Sequence, residues 1–174
     1  MSLAYEAMMF AREVHKDQRR KYTNNPYTDH LAEVAGIAST VCWRYEHLEQ
    51  EIIAAAWLHD SREDQGVSRE TIQARFGGLV ADMVDMLSDL ELGNRAARKA
   101  ASRARLAKAW PCVQTIKCAD LISNTSSIVQ HDPEFAEVYL EEKRLLLDVL
   151  TKADPRLLWL ARALSGAGAK EKMG

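Results

Sequence analysis

The sequence predicts an all-α fold, built as a single-domain helical bundle. Apolar residues recur at helical spacing through most of the chain, and no segment alternates apolar and polar residues as a half-buried strand does. Glycine and proline are sparse, at 8 and 4 of 174 residues, and they cluster where turns are expected. A chain of this length is sufficient for one domain with a sizeable core.

The first half of the chain contains the helices expected to form the centre of the bundle. Residues 3–18 carry apolar side chains with a helical period, and residues 27–44 repeat the pattern. Residues 51–59 are apolar nearly all round, which is typical of a central buried helix. Ser68 is the predicted N-cap of the next helix, and residues 79–87 form a further one.

The second half contains predicted helices with clear start signals. Residues 94–109 form a basic, alanine-rich helix, and residues 113–130 form a buried one. Asp132-Pro133 and Asp154-Pro155 each combine an acidic N-cap with a proline in the first helical turn. Two further helices are therefore expected to begin at these prolines.

Bulk properties limit the kinds of partner that the chain is expected to have. The domain is predicted to span residues 1–164, followed by a disordered tail at 165–174. The formal net charge is −2, which indicates no polyelectrolyte partner. The longest uninterrupted apolar run, residues 52–58, is far too short to span a bilayer, and the N-terminus lacks the features of a secretory signal. No membrane partner is expected.

Cys42, Cys112 and Cys118 are too few and too scattered for a disulfide framework, and none forms a Cys-x-x-Cys pair. We interpret all three as small buried hydrophobic residues. Because unpaired thiols are typical of a reducing compartment, the expected location is the cytoplasm.

The most informative segment is the charged end of the predicted central helix. A histidine and three carboxylates follow its apolar residues within six positions: His59, Asp60, Glu63 and Asp64. Burying unpaired charge there costs roughly several kcal/mol per ion, and a divalent cation would offset that cost. Adjacent helical residues point about 100° apart, so His59 and Asp60 can share one ion only at the end or flank of the helix. A continued helical turn carries Glu63 and Asp64 to the same rim, where carboxylates can orient or deprotonate a water molecule.

His30 and Asp120 are further candidates for the same site. Both lie near apolar segments that are expected to pack on the central helix. Two imidazoles and two carboxylates suit Mn, Fe, Co, Ni or Zn better than Ca or Mg. Taken singly, such a histidine is more often a core residue, and such an aspartate more often a cap or an ion-pair partner. Both interpretations stay open on the residues alone.

The order of these motifs resembles that of the HD-superfamily phosphohydrolases. The matching motifs are Gln18-Arg19-Arg20-Lys21 with Pro26-Tyr27-x-x-His30, then Leu58-His59-Asp60-x-x-Glu63-Asp64, then Lys117-x-Ala119-Asp120-x-x-x-Asn124. They are most similar to the (p)ppGpp hydrolase domain of the RelA/SpoT group and to stand-alone small alarmone hydrolases. The resemblance covers residues 3–150 and is far more specific than a His-Asp pair alone.

The resemblance implies a helical HD-type domain with one divalent cation, Mn²⁺ in the family, and 3′-pyrophosphohydrolysis of (p)ppGpp. The implied metal ligands are His30, His59, Asp60 and Asp120. Glu63 and Asp64 are implied to handle the attacking water. The implied substrate-binding residues are Arg20, Lys21, Asn124, Ser127 and Tyr139.

The chain departs from the family pattern at several places, one of which is a loop between Arg20-Lys21 and His30 that is one residue longer than in the bifunctional enzymes. The family usually has His-Pro where this chain has His30-Leu31, and His-Asp-Thr-apolar-Glu-Asp where this chain has Ser61-Arg62 at the two middle positions. Arg62 adds a cation beside the predicted catalytic carboxylates. Two roles stay open for it: substrate binding through a phosphate, or pairing with Glu63 or with an acid elsewhere. These departures put the guanine specificity in question but not the metal ligands.

The predicted basic helix is not explained by the resemblance. No acidic residue lies between Glu91 and Asp120, whereas this stretch carries seven basic residues: Arg95, Arg98, Lys99, Arg103, Arg105, Lys108 and Lys117. The helix could steer a polyphosphorylated substrate, but a solvated face or a contact in a homodimer is favoured. Nucleic acid is not an expected partner, because no aromatic residues interleave with the charges.

Three alternative functions stay open beside the primary hypothesis. The chain could hydrolyse another small nucleotide, as a 5′-nucleotidase or an NADPH phosphatase. It could bind an alarmone without cleaving it, although such a module would not need Glu63 and Asp64. A purely structural bundle would bind no metal.

Overall fold

The computed structural model describes residues 1–166, apart from the side chain of Ser126. These residues form ten α-helices and one short 3-10 helix, with no β-strand among them. The all-α prediction is confirmed. The chain divides into two compact units, Met1–Leu90 and a second unit that begins at Glu91. The single domain expected over residues 1–164 stays a prediction.

The first unit is organised around a buried central helix. Its helices are α1 Leu3–Val14, α2 Tyr27–Ser39, α3 Glu49–Leu58, α4 Ser61–Gln65, α5 Arg69–Phe76 and α6 Gly78–Leu87, with the 3-10 helix Cys42–Arg44 between α2 and α3. Helix α3 packs against α1, α2 and α6. Its apolar residues, from Ile52 to Leu58, are almost all buried, as the sequence predicts.

Two helices end earlier than the hydrophobic pattern predicts. Helix α1 ends at Val14 rather than Gln18, because residues 18–27 form a loop closed by backbone hydrogen bonds, including Tyr27 N to Gln18 O at 3.0 Å. Helix α2 ends at Ser39, where the hydroxyls of Ser39 and Thr40 each donate to a backbone carbonyl one turn earlier at 2.7 Å. Such side-chain bonds compete with the helical pattern.

Caps and a glycine define the boundaries of α5 and α6. The Ser68 hydroxyl accepts a hydrogen bond from Thr71 N at 3.1 Å, which confirms the predicted N-cap. Gly77 joins α5 to α6 with φ of +89°, a conformation that favours glycine. The turn between these two helices therefore follows directly from the sequence.

The second unit contains four helices: α7 Arg95–Lys108, α8 Pro111–His131, α9 Pro133–Leu147 and α10 Pro155–Leu164. Helix α8 packs against α9 and α10. The Asp132 carboxylate accepts from Phe135 N, and the Asp154 carboxylate accepts from Arg156 N and Leu157 N, so both predicted N-caps are confirmed. Of the predicted tail, Ser165 is buried and its hydroxyl donates to Ala161 O at 2.6 Å, whereas residues 167–174 lie outside the described residues.

The basic helix α7 meets acidic residues from other parts of its own unit. The Arg95 guanidinium makes a two-point contact with the Glu142 carboxylate at 2.7 and 2.8 Å, and Arg105 pairs with Glu91. The first of these acids lies far along the sequence on α9. Part of the charge of α7 is therefore neutralised within the unit.

The predicted burial of the three cysteines is confirmed, and the described helices can be compared with the length that a membrane span requires. Cys42, Cys112 and Cys118 are buried and free of disulfides. Burial raises the pKa of the Cys118 thiol to about 12. Among residues 1–166, no helix has the length and apolar character needed to cross a membrane.

Candidate active site

His59 and Asp60 lie at the junction between α3 and α4. Helix α3 ends at Leu58, His59 is its C-cap, and α4 begins at Ser61 directly after Asp60. The two residues therefore lie at the end of a helix. This is a position where adjacent residues can both reach one ion, as the sequence analysis requires. The Asp64 amide donates to the Asp60 carbonyl at 2.9 Å, so the helical turn continues toward the next carboxylates as predicted.

Three predicted metal ligands of the first unit converge. His59 Nε2 lies 2.9 Å and His30 Nε2 lies 3.6 Å from Asp60 Oδ2. One candidate ligand atom from each of the three residues lies within 4.8 Å of the others. His30 and His59 are only 1% and 3% exposed, and their ring centroids are 5.3 Å apart. The cluster is accordingly shielded from bulk water on the histidine side.

A hydrogen bond sets the tautomer of His59. Its Nδ1–H donates to the carbonyl oxygen of Ala56, one turn earlier, at 2.8 Å. Because a carbonyl can only accept, Nδ1 carries a proton, which leaves Nε2 as the ring nitrogen that faces Asp60 and is placed to coordinate a cation. Metal-binding histidines commonly make such a bond through the other ring nitrogen.

Tyr27 and His15 belong to this site, although sequence reasoning assigned them no role. The Tyr27 hydroxyl donates to Asp60 Oδ2 at 2.7 Å, and its ring stacks on His15 at 5.4 Å. His15 Nε2 lies 3.4 Å from the Ser61 hydroxyl, and burial lowers the pKa of this imidazole. Tyr27 precedes His30 by three positions, and this one-turn spacing is the signal that could have identified it.

The predicted water-handling carboxylates lie exposed on α4. Glu63 Oε2 accepts from the backbone amide of Asp89 at 3.0 Å. Asp64 Oδ2 accepts from the Gln18 side chain at 2.8 Å, and Gln18 Oε1 lies 2.5 Å from His15 Nδ1. Both carboxylates are therefore oriented by hydrogen bonds while remaining accessible to a substrate.

Arg62 pairs with an acid on another helix. Its guanidinium contacts the Asp85 carboxylate of α6, which also lies 2.9 Å from Arg69 Nε. Arg69 in turn contacts Asp82, one turn earlier on α6. Of the two roles that the sequence leaves open, this geometry favours pairing over phosphate binding.

The predicted nucleotide-binding pair of the first unit occupies the loop before α2. The Arg20 guanidinium lies 3.8 Å from the Glu33 carboxylate, and its side chain is mostly buried. The exposed Lys21 ammonium donates to the Tyr22 hydroxyl at 3.2 Å. The backbone amide of Arg20 donates to Asn25 O at 2.9 Å, which holds the loop closed.

The remaining predicted site residues lie in the second unit. Asp120 is buried on α8, where its carboxylate accepts from Asn124 Nδ2 at 2.6 Å and from Lys117 Nζ at 2.9 Å. Ser127 lies on the same helix, and its carbonyl lies 2.8 Å from His131 Nδ1. Tyr139 lies on α9, with its ring centroid 6.1 Å from that of Phe135.

The chemistry of the donor set fits a divalent transition-metal cation. Two imidazole nitrogens and a carboxylate converge from residues that are distant in the sequence. Imidazole favours Zn, Fe, Co and Ni, and a carboxylate also accommodates Mn. Tyr27 and Ala56 orient two of the three ligands from outside the cluster, as in known metal sites.

Comparison with known proteins shows similarity over most of the chain. Residues 7–138 match the model of the HD domain family. The chain is 31% identical over 137 residues to guanosine-3′,5′-bis(diphosphate) 3′-pyrophosphohydrolase MESH1 of Xenopus tropicalis, covering 76% of this chain and 73% of that protein. It is 29% identical over 150 residues to GTP pyrophosphokinase rsh of Brucella melitensis, and this match covers 83% of the chain but only 18% of that relative's length.

A solved structure agrees with the fold. It is described as a metazoan ortholog of SpoT that hydrolyses ppGpp and plays a role in starvation responses. The superposition has a TM-score of 0.86, covers 97% of each chain and shows 23% sequence identity. At this level of identity the likeness establishes the helical architecture.

Proposed function

This chain belongs to the HD domain family, and we propose that it is a metal-dependent phosphohydrolase that removes pyrophosphate from the 3′ position of (p)ppGpp. The observation that carries the proposal is the convergence of His30, His59 and Asp60 within 4.8 Å. The choice of substrate is supported by the activity for which the Xenopus relative is named and by the motifs around Arg20-Lys21 and Asn124. Release of pyrophosphate follows from that substrate.

Three residues of the first unit would hold the metal. His30 and His59 would supply imidazole nitrogens, and Asp60 would supply a carboxylate oxygen. The resemblance adds Asp120 as the fourth ligand, and we retain it in the proposal because it is a buried aspartate within the matching motif. We propose Mn²⁺ as the native ion, with Fe, Co, Ni and Zn as alternatives. When bound, the cation supplies Lewis acidity toward the attacking water and the phosphoryl oxygens.

The exposed carboxylates of α4 would handle the attacking water. Glu63 is oriented by the amide of Asp89, and Asp64 is oriented by Gln18, so each presents a fixed oxygen. One of them accepts the proton as the water attacks the phosphorus joined to the ribose 3′-oxygen. The bond from that phosphorus to the 3′-oxygen breaks, the 3′-oxygen takes up a proton, and pyrophosphate leaves. The other product is GDP or GTP.

The remaining predicted residues would set the position of the nucleotide. Arg20 and Lys21 would contact the guanine base and a nearby phosphate, and Asn124, Ser127 and Tyr139 would line the nucleoside pocket. These assignments come from the resemblance. Arg62 is a further substrate-binding candidate, and its competing role is to pair with Asp85.

The proposed setting of the protein is the cytoplasm. Buried free thiols at Cys42, Cys112 and Cys118 support it, because such cysteines are typical of a reducing compartment.

A homodimer through the basic helix α7 also stays a proposal. Light scattering of the purified chain at two salt concentrations would test it, since a charged interface weakens as salt rises.

The decisive test combines a product assay with metal analysis. The purified chain, loaded with Mn²⁺, is incubated with ppGpp, pppGpp, NADPH and nucleoside monophosphates. We expect pyrophosphate only from the two guanosine compounds, and no turnover after removal of metal by a chelator. Detection of only orthophosphate, and never of pyrophosphate, across the whole panel would reject the proposed reaction.

Two variants separate metal binding from water handling. Asp60→Ala is expected to abolish bound metal and turnover together, because Asp60 contacts both histidines of the cluster. Glu63→Ala is expected to keep its metal and to lose about 10²- to 10⁴-fold in kcat, the usual contribution of a general base. Elemental analysis and the pyrophosphate assay measure the two effects.

A matched control is the exposed Glu13 of α1, whose ion pair with Lys16 lies in solvent. Glu13→Ala is expected to leave both metal content and kcat unchanged, since such pairs contribute little. Near-normal turnover of Glu63→Ala would show that another group accepts the proton.

A further inference from the structure

A buried lysine in the second unit has no part in the proposed chemistry. Lys143 on α9 is 3% exposed. Lysine is almost never fully buried unless its ammonium is well partnered. Burial lowers the pKa of this side chain to about 7, which reflects how unfavourable the charged form is there. An apolar residue of similar size would avoid this cost.

The Lys143 ammonium is held by three groups. It donates to the carbonyl oxygen of Leu121 at 2.8 Å and to the Thr125 hydroxyl at 2.9 Å, both on α8. It also lies 4.2 Å from the ring centroid of Tyr139, one turn earlier on its own helix. A cation over an aromatic face is attracted by the negative potential of the ring.

These contacts involve the turn of α8 that carries two predicted site residues. Leu121 follows Asp120, and Thr125 follows Asn124. The Thr125 hydroxyl also donates to the Leu121 carbonyl at 2.6 Å. On the neighbouring face of the same turn, the Asp120 carboxylate accepts from Asn124. A rotation of this turn about the helix axis would therefore break the lysine contacts and move both side chains.

A buried charged lysine is weak evidence of a contribution to stability. Replacing buried charged groups by well-packed apolar residues is often neutral or stabilising. Such groups are retained in some proteins because they select one arrangement of neighbouring elements. Here the lysine contacts the ring of Tyr139 and the turn of α8 that carries Asn124, so it touches or neighbours nucleotide-binding candidates on two different helices.

We propose that Lys143 is a positioning residue for nucleotide recognition, which holds the Asp120–Asn124 turn of α8 and the ring of Tyr139 in the arrangement that receives the nucleoside. It does not touch the substrate. The inference rests on the proposed function, because only that function gives Asn124 and Tyr139 a nucleotide to bind.

The test compares three variants of the full chain with the wild type. Lys143→Met removes the three donors and keeps an unbranched stem. Thr125→Val removes one of the two oxygen partners and preserves the shape of the side chain. Thr115→Val is the matched control: Thr115 is another buried threonine of α8, whose hydroxyl donates to Pro111 O at 2.8 Å and accepts from Asp154 N at 2.9 Å.

Lys143→Met is expected to raise the KM for ppGpp roughly tenfold or more, because it removes two hydrogen bonds to the turn of α8 and the contact with the ring of Tyr139. Its kcat at saturating Mn²⁺ should change little, because Glu63 and the His30–His59–Asp60 cluster are intact, whereas its metal affinity should also fall, because the turn that Lys143 holds carries Asp120, the proposed fourth ligand. Thr125→Val should raise KM by about two- to tenfold, because it removes one oxygen partner of Lys143 and leaves the Leu121 carbonyl in place. Thr115→Val should lower the melting temperature without changing KM.

The outcomes separate this inference from the function on which it rests. If the wild type is active and KM is unchanged in Thr125→Val, and also in Lys143→Met where that variant folds, the positioning role alone is overturned. A rise in KM for Thr115→Val equal to that for Thr125→Val would also overturn it, since the effect would then follow from loss of stability. A wild type without turnover on any guanosine substrate would overturn the proposed function and the inference together.

Discussion

At the scale of single residues, the candidate metal site depends on groups that orient its ligands. The Ala56 carbonyl decides which nitrogen of His59 carries the proton, and the Tyr27 hydroxyl restrains one oxygen of Asp60. Neither group is expected to touch the metal. Orienting partners of this kind reduce the conformational freedom that a ligand must lose on binding, so their removal weakens the site without removing a ligand.

Tyr27→Phe is expected to weaken metal binding by about 10- to 100-fold while the chain remains folded. The substitution deletes only the hydroxyl that donates to Asp60 and keeps the ring that stacks on His15. Titration with Mn²⁺ in competition with a chelator of known affinity measures the effect.

The control for this prediction is Tyr5→Phe, which deletes the hydroxyl of a half-exposed tyrosine on α1. It should bind metal as the wild type does. Equal affinities of the two folded variants would show that the bond between Tyr27 and Asp60 does not orient the ligand.

At the scale of elements, the short helix α4 carries the predicted catalytic carboxylates and needs support from its neighbours. It has only five residues, and isolated helices of that length are not stable in water. Gly66 ends it with φ of +64°, and Arg62 attaches it to α6 through Asp85. The ion network of Arg62, Asp85, Arg69 and Asp82 therefore attaches α4, the helix that carries Glu63, to α5 and α6.

A double-mutant cycle on Arg62 and Asp85 would distinguish support of α4 from phosphate binding. We expect Arg62→Gln and Asp85→Asn each to lower kcat, and the double variant to be little worse than either single one. The expected coupling is about 1–2 kcal/mol, because residues in one ion network are not additive. Steady-state kinetics on ppGpp provides the four values.

The alternative role of Arg62 makes a different prediction for the same cycle. If its guanidinium binds a substrate phosphate, Arg62→Gln raises KM, and it does so equally in the Asp85→Asn background. Additive effects on KM would therefore assign Arg62 to the substrate.

At the scale of the whole molecule, the described chain consists of two compact helical units that both contain buried thiols. Cys42 lies in the first unit, and Cys112 and Cys118 lie in the second. Burial raises the pKa of all three thiols, so little of the reactive thiolate forms near neutral pH. Their reactivity can therefore report the opening of each unit.

We expect the native chain to react slowly with a thiol reagent such as DTNB, and all three cysteines to become reactive in urea. The single domain that the sequence predicts would make Cys42 and Cys118 reactive at the same urea concentration, as in a two-state transition. Single Cys→Ser variants assign the signals.

Two results would contradict these predictions for the thiols. Separate urea midpoints for Cys42 and Cys118 would show that the two units unfold independently. A thiol that reacts rapidly without denaturant would contradict its burial.

The amino-acid sequence alone determined the features that depend on near neighbours in the chain. Helical spacing indicated the all-α class, and Ser68, Asp132 and Asp154 were identifiable as N-caps because a cap bonds to residues two or three positions away. The motifs around His30, His59-Asp60 and Asp120 were sufficient to indicate the HD family, which the match over residues 7–138 confirms.

The tertiary structure decided the contacts between residues that are distant in the sequence. The bonds of Tyr27 to Asp60, of Arg62 to Asp85 and of Lys143 to Leu121 each join different helices. No spacing rule predicts such partners, because they depend on how apolar faces pack and on which polar groups that packing buries together. Sequence therefore indicated the kind of site, whereas packing decided which side chains orient it.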